Sequence, residues 1–231
     1  MAKVRFGAIV SGVSGSISGN TFSHNKGGPY IRNRTVPTKS TTTAAQAAKA
    51  RLAAQSIAWQ GLTQAQRDSW KHWSEHNPVI DRLGEQRNLT GHQSFIKLNT
   101  RIDLIGETPL TAPPILAAPD ALVTLVPTVD IGVGNTELVY TTTPLAAGIA
   151  VYCWADIVDS AGINYVENGL RYFMVSPAAQ ASPLDIESEL AAVFGTPVED
   201  QTVHFSVSTI RLVDGQISVP IKARTLVVDT T

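Results

Sequence analysis

Between residues 107 and 119 the chain carries Pro109, Pro113, Pro114 and Pro119. Proline fixes φ and lacks an amide donor, so neither a helix nor a central strand can run through such a stretch. The hydrophobic pattern changes period across it. Before it, apolar residues recur at helical spacing; after it, they alternate. The chain is therefore expected to build a helical part and a strand part separately, joined by an extended linker over 107–119.

On the helical side, Thr43-Ala44-Ala45-Gln46, Thr63-Gln64-Ala65-Gln66 and Thr90-Gly91-His92-Gln93 all have the form in which Thr caps an N-terminal amide and Gln reaches back. Gly61, Pro78 and Gly106 supply the stops. Three helices forming a small module over 43–106 are predicted. The first is alanine-rich, with Leu52, Ile57 and Trp59, and its small side chains permit close approach by another helix. In the third, Phe95, Leu98, Ile102 and Ile105 share a face. Trp59, Trp70 and Trp73 are the expected packing residues.

On the strand side, residues 120–231 offer six runs: 121–126, 136–142, 149–158, 170–176, 202–212 and 216–228. Val151, Cys153 and Ala155 alternate with Tyr152, Trp154 and Asp156, as Val203, Phe205 and Val207 do with His204, Ser206 and Ser208. Turn residues between the runs argue for an antiparallel β-sandwich. Residues 185–195 break the pattern as a short helix with an acidic first turn and Gly195 at its end. Val213-Asp214-Gly215 is expected to turn a closing hairpin.

Residues 1–42 form a third kind of sequence, a Gly/Ser-rich extended arm. Lys3 to Ala8 alternates, with Val4, Phe6 and Ala8 on one strand face. Runs 20–26 and 29–36 flank Gly27-Gly28, which predicts a hairpin with Tyr30, Arg32 and Arg34 on one face. The fold class expected for the whole is α+β.

Charge separates along the same axis. The net charge is −1, yet residues 1–101 hold 14 Lys/Arg and 4 Asp/Glu, whereas residues 102–231 hold 4 and 15. The first 51 residues carry eight basic side chains and no acidic one. A basic arm of this kind points to an anionic partner surface. Arg5, Lys26, Tyr30, Arg32 and Arg34 are the candidate partner-binding residues. Protein docking is favoured over nucleic acid, because acidic C-terminal halves of neighbouring copies supply complementary charge.

Signals for chemistry are few. His72-Trp73-Ser74-Glu75-His76 fits H-x-x-E-H, in which two histidines bind zinc and Glu activates water, but no third ligand stands out in a later helical segment. Cys153 lies mid-strand, where a free cysteine packs as a small hydrophobe, and a single cysteine excludes an internal disulfide. His204 reads as a solvent-facing or interface residue. No phosphate-cradling glycine loop is present, and the pairs Glu187/Glu189 and Glu199/Asp200 read as solvated acidic surface. No cofactor, no catalytic residue and no metal ligand is assigned. No run approaches the roughly 18 apolar residues of a bilayer span, and no secretion signal is read at the N-terminus.

The order of motifs resembles a known group. It runs Ile17-Ser18-Gly19-Asn20-Thr21-Phe22-Ser23, Lys26-Gly27-Gly28-Pro29-Tyr30-Ile31-Arg32 and Val36-Pro37. Gln46 and Arg51 follow, then Trp59, Leu62-Thr63, Gln66-Arg67 and Trp70, then Leu89-Thr90-Gly91, Phe95 and Asn99. These residues look like those of virion structural proteins of tailed bacteriophages and prophages, over about the first 106 residues. The strand part resembles immunoglobulin- or fibronectin-like sandwiches. The resemblance implies a non-enzymatic structural role in the virion, with other virion proteins as partners and a homo-oligomeric or multi-copy assembly. It carries over no site residues. Tail or neck fibre adaptor and capsid decoration are both open. A DNA-binding arm is the alternative, and a zinc hydrolase built on His72, Glu75 and His76 a remote one.

Overall fold

A computed structural model describes residues 2–4, 6–7, 10–25, 28–35, 42–80, 84–166 and 168–230. The chain divides into two compact units, Met1–Ala48 and Lys49–Thr231. The division lies close to the boundary expected at 42/43. The proline-rich join at 107–119 lies inside the second unit.

The first unit is a four-stranded antiparallel sheet of β1 (Ala2–Lys3), β2 (Gly15–Ile17), β3 (Asn20–Asn25) and β4 (Gly28–Asn33), in the order β1-β4-β3-β2. The expected hairpin is present: β3 and β4 pair from Asn20↔Asn33 to Asn25↔Gly28. The strand expected over 3–8 is shorter, covering only Ala2–Lys3; Arg5 and Ala8 lie outside the described residues. Directly opposite residues in antiparallel strands share a face. The register thus puts Lys3, Tyr30, Arg32, Thr21 and Ser16 on one side and Phe22, Ile31 and Ile17 on the other. One side is polar and basic; the other is mixed, with Asn20, His24 and Asn33 beside Phe22, Ile31 and Ile17. Among the described residues of 2–35 no side chain is buried.

Helix α1 (Thr43–Gln60) crosses the division. Its start corrects the first of the three capping expectations. Thr43 is already helical, and the amide of Gln46 bonds the carbonyl of Thr42 at 3.0 Å. Leu52, Gln55 and Trp59 share a stripe that Ile57 does not, and only Gln55 of this helix is buried; Leu52 and Ile57 are exposed.

In the second unit, α2 (Gln64–His76) and α3 (Gly91–Leu104) start as expected. Thr63 Oγ1 accepts the Gln66 amide at 3.3 Å, and Gln66 Oε1 accepts the Thr63 amide at 2.9 Å. Thr90 and Gln93 do the same at 3.2 and 3.0 Å. Between the two helices a small ribbon, β5 (Val79–Ile80) with β6 (Gln86–Arg87), interrupts the segment that the sequence presented as wholly helical. Trp70, Phe95 and Leu98 form the helical core, with Trp59, Leu62 and Trp73 packed on it. Trp70 meets Phe95 edge-on at 5.4 Å. The helices can touch because position 91 is glycine: a Cβ there would lie 2.8 Å from the Lys71 amide nitrogen.

The proline-rich join carries neither helix nor strand, and it is bonded on both sides. Trp70 Nε1 donates to the carbonyl of Thr111 at 3.0 Å, and buried Asn99 bonds both the amide and the carbonyl of Leu110 at 2.7 and 3.1 Å. Further along, the carbonyls of Leu116, Ala117 and Asp120 accept from Gln216, Arg211 and Thr209. Pro114 and Pro119 are buried.

The strands are β7 (Thr124–Asp130), β8 (Asn135–Thr141), β9 (Ile149–Val158), β10 (Arg171–Val175), β11 (Leu184–Asp185), β12 (Thr202–Arg211) and β13 (Ile221–Leu226), with α4 (Glu187–Phe194) between β11 and β12. They form two antiparallel sheets, β10-β9-β12-β13 and β11-β8-β7. One core holds residues of both: Leu138 and Tyr140 of β8, Val151, Cys153 and Ala155 of β9, and Val203, Phe205 and Val207 of β12. After β13 the chain crosses between the sheets. The Val227 amide bonds Gln201, and Val228 bridges Asp130 in parallel.

The opposite face of β9 is buried as well. Ala150, Tyr152 and Ile210 form another cluster, on which Leu104 and Ile105 from the end of α3 pack. At that point Gly215, with φ of 66°, lies against α3; a Cβ would stand 2.7 Å from Ile102 Cγ1. The fold is α+β, as expected, with every named sheet antiparallel.

Candidate functional site

Of the five candidate partner-binding residues, Arg5 and Lys26 lie outside the described residues. Tyr30 and Arg32 stand two apart on β4 and so share the polar side of the sheet with Lys3. Arg34 follows the strand end, where its amide donates to the carbonyl of Gly19 at 2.7 Å and prolongs the hairpin pairing. The arm thus brings an aromatic ring and cationic side chains to one face. Such a face can meet carboxylates or phosphates.

The H-x-x-E-H residues lie on the last turns of α2 and are exposed. His72 and His76 stack at 4.4 Å, and His76 Nδ1 lies 2.8 Å from the His72 carbonyl. Among the described residues no group of three or more His, Cys, Asp or Glu side chains is placed to hold a metal ion. Cys153 is fully enclosed in the two-sheet core, and burial pushes its thiol pKa well up. A buried thiol of this kind is a poor nucleophile. Among the described residues no helix is long and apolar enough to cross a membrane.

The outer face of β12 departs from the sequence reading. His204 is 7% exposed and is neither solvent-facing nor on an open surface. Opposite it in the ladders stand Asp156 on β9 and Arg224 on β13. Asn164, Tyr165, Val166 and Leu170 help to wall a cavity of about 420 Å³ over this face, with His204, Lys222 and Arg224 also in the wall. Arg224 donates to Asn164 Oδ1. Two residues along β12, a second cavity of about 260 Å³ begins, with Arg101, Tyr152, Trp154, Ser206 and Ser208 in its wall. Burial lowers the Arg101 pKa, and the neighbouring Tyr152 opposes that shift. Burial raises Tyr152, against Arg101, Trp154 and Arg51, and raises Tyr172 to about 12.

Comparison with protein-family models, with curated proteins and with solved structures returns no match.

The residues missed from sequence are therefore those of the β12 outer face. The one available signal was the run Thr202, His204, Ser206, Ser208, which alternation alone assigns to water. Only the covering segment, distant in sequence, turns it into a cavity wall.

Proposed function

We propose that this chain is a non-enzymatic structural protein of a tailed-phage virion, anchored to other virion proteins through its N-terminal arm. One observation carries the reading: the first unit is a four-stranded sheet in which no described side chain of 2–35 is buried. A sheet without a core needs a covering partner to be stable. Its basic side, with Lys3, Tyr30 and Arg32, suits an acidic protein surface. Residues 102–231, with 15 Asp/Glu against 4 Lys/Arg, supply such a surface in neighbouring copies, which supports a multi-copy assembly. The two sheets of the second unit are read as the displayed part, a sandwich of immunoglobulin or fibronectin type. The spaced residues of 1–106 add the resemblance to phage virion proteins.

The experiment is deletion of residues 2–42, followed by measuring incorporation into particles. Loss of incorporation is expected; unchanged incorporation overturns the anchoring role. Full-length chain titrated with duplex DNA over a salt series tests the other reading of the basic face. Tight binding with a steep salt slope would assign that face to DNA.

A further inference from the structure

The end of α3 packs on the outer face of β9 through Leu104 and Ile105. Arg101 stands one turn before Ile105, on the same side of the helix. Across the sheet, Ser206 is directly opposite Trp154, and Ser208 is directly opposite Tyr152. Directly opposite residues share a face, so two hydroxyls and two aromatic rings make one patch. Arg101 and these four side chains line the cavity of about 260 Å³, and Leu170, Ile217 and Pro220 also lie in its wall. Pro220 is exposed, so the cavity opens to solvent on that side. It lies where the helical part meets the strand part, a usual place for a ligand site.

The polar groups of this wall lack partners within the chain. The one ion pair among the described residues joins Arg211 and Asp214, so the Arg101 guanidinium has no carboxylate there. No described residue of the wall is acidic. The hydroxyls of Ser206 and Ser208 make no hydrogen bond among the described residues. Arg101 and Tyr152 each shift the other's titration, which sets the guanidinium close to that ring. Arg51 acts on Tyr152 and Arg101 acts on Lys97, so further positive charge surrounds the cavity from outside its wall. A partly buried cation in such surroundings is stabilised by an anion that reaches it.

The chemistry of the wall selects the occupant. Within the described wall there is one charged group, and a guanidinium offers two parallel donors that match one carboxylate. The rest is mainly ring and aliphatic surface, which suits an apolar body. The cavity is smaller than the roughly 300 Å³ at which pockets for drug-sized ligands begin, so that body is a single ring. We infer that the cavity between α3 and the outer face of β9 and β12 binds a small aromatic monocarboxylate, with its carboxylate on Arg101 and its ring against Tyr152 and Trp154. Ser206 and Ser208 supply the remaining donors. This inference is independent of the virion reading.

The test is calorimetric titration of the full chain with benzoate, with its uncharged isostere benzamide, with acetate and with inorganic phosphate. Benzoate is expected to bind, and the other three at least tenfold more weakly. Arg101→Gln is expected to weaken benzoate at least tenfold while leaving benzamide unchanged, a split that general damage to the fold would not produce. Ser208→Ala is expected to weaken benzoate severalfold, with far-ultraviolet spectra unchanged. Should Arg101→Gln fail to fold, the comparison of benzoate with benzamide on the unaltered chain tests the same contact. No binding of benzoate, equal binding of benzamide or phosphate, or wild-type affinity for benzoate in Arg101→Gln would each overturn the inference.

Discussion

Two antiparallel strand pairs show how differently one pattern can be used. β3 and β4 pair over six positions, and none of their described side chains is buried. β9 and β12 pair over ten and are covered on both faces, by the second sheet on one side and by the end of α3 with Asn164, Tyr165, Val166 and Leu170 on the other. Alternation sorts side chains onto two faces in each case. What differs is the presence of a second layer, and a sheet gains hydrophobic stability only when a layer covers it.

The largest expected effect breaks that contrast most directly. Phe205 is 1% exposed in the two-sheet core, so Phe205→Ala should cost about 3–5 kcal/mol in urea unfolding. Phe22, only half-buried in the arm sheet, should cost less than about 1 kcal/mol when changed to Ala in the isolated chain. A large loss at Phe22 would mean that the arm has a core of its own after all.

The join gives the next effect. Asn99 is fully buried and satisfies both polar groups of Leu110, so Asn99→Ala leaves a donor and an acceptor bare and should cost about 2–3 kcal/mol. An unchanged midpoint would restore the picture of a loose linker.

The smallest effect is pH-dependent and concerns the crossing after β13. Thr230 donates to Asp130, and the amides of Gly132 and Val133 add to that bond, so the Asp130 carboxyl titrates below its usual 3.8. A depressed folded pKa gives stability that is complete above the unfolded value and is lost as pH falls through the folded one. Wild type should therefore exceed Thr230→Ala in stability at neutral pH, and the gap should close below pH 3.8 in acid unfolding curves. A gap independent of pH would show that Asp130 is not its source.

Much of the local structure was legible. The run 149–158 is β9 residue for residue, and the helix expected over 185–195 is α4 with Gly195 at its C-terminus, φ 83°. Thr63 and Thr90 cap as their spacing demands. These features are written within a few residues of where they act. Thr43 failed as a cap because Thr42 is also present and the helix begins one residue away. The ribbon at β5 and β6 was hidden because two-residue strands carry no period to detect.

The candidate site was legible only in part. Tyr30 and Arg32 share a face, as period two requires. His204, read as solvent-facing or interface, is buried on the outer face of β12 in a cavity wall.

By itself the sequence determined the longer helices and strands, the pairing of β3 with β4, and the separation of a basic half from an acidic one. All of these rest on interactions between near neighbours or on simple counting. Tertiary structure alone decided which faces are covered and that the proline-rich stretch is held on both sides. It also decided that His204, which alternation assigns to water, is buried beside a cavity. Those outcomes depend on groups many tens of residues apart, such as Arg211 and the Ala117 carbonyl, and no short-range period records such a meeting.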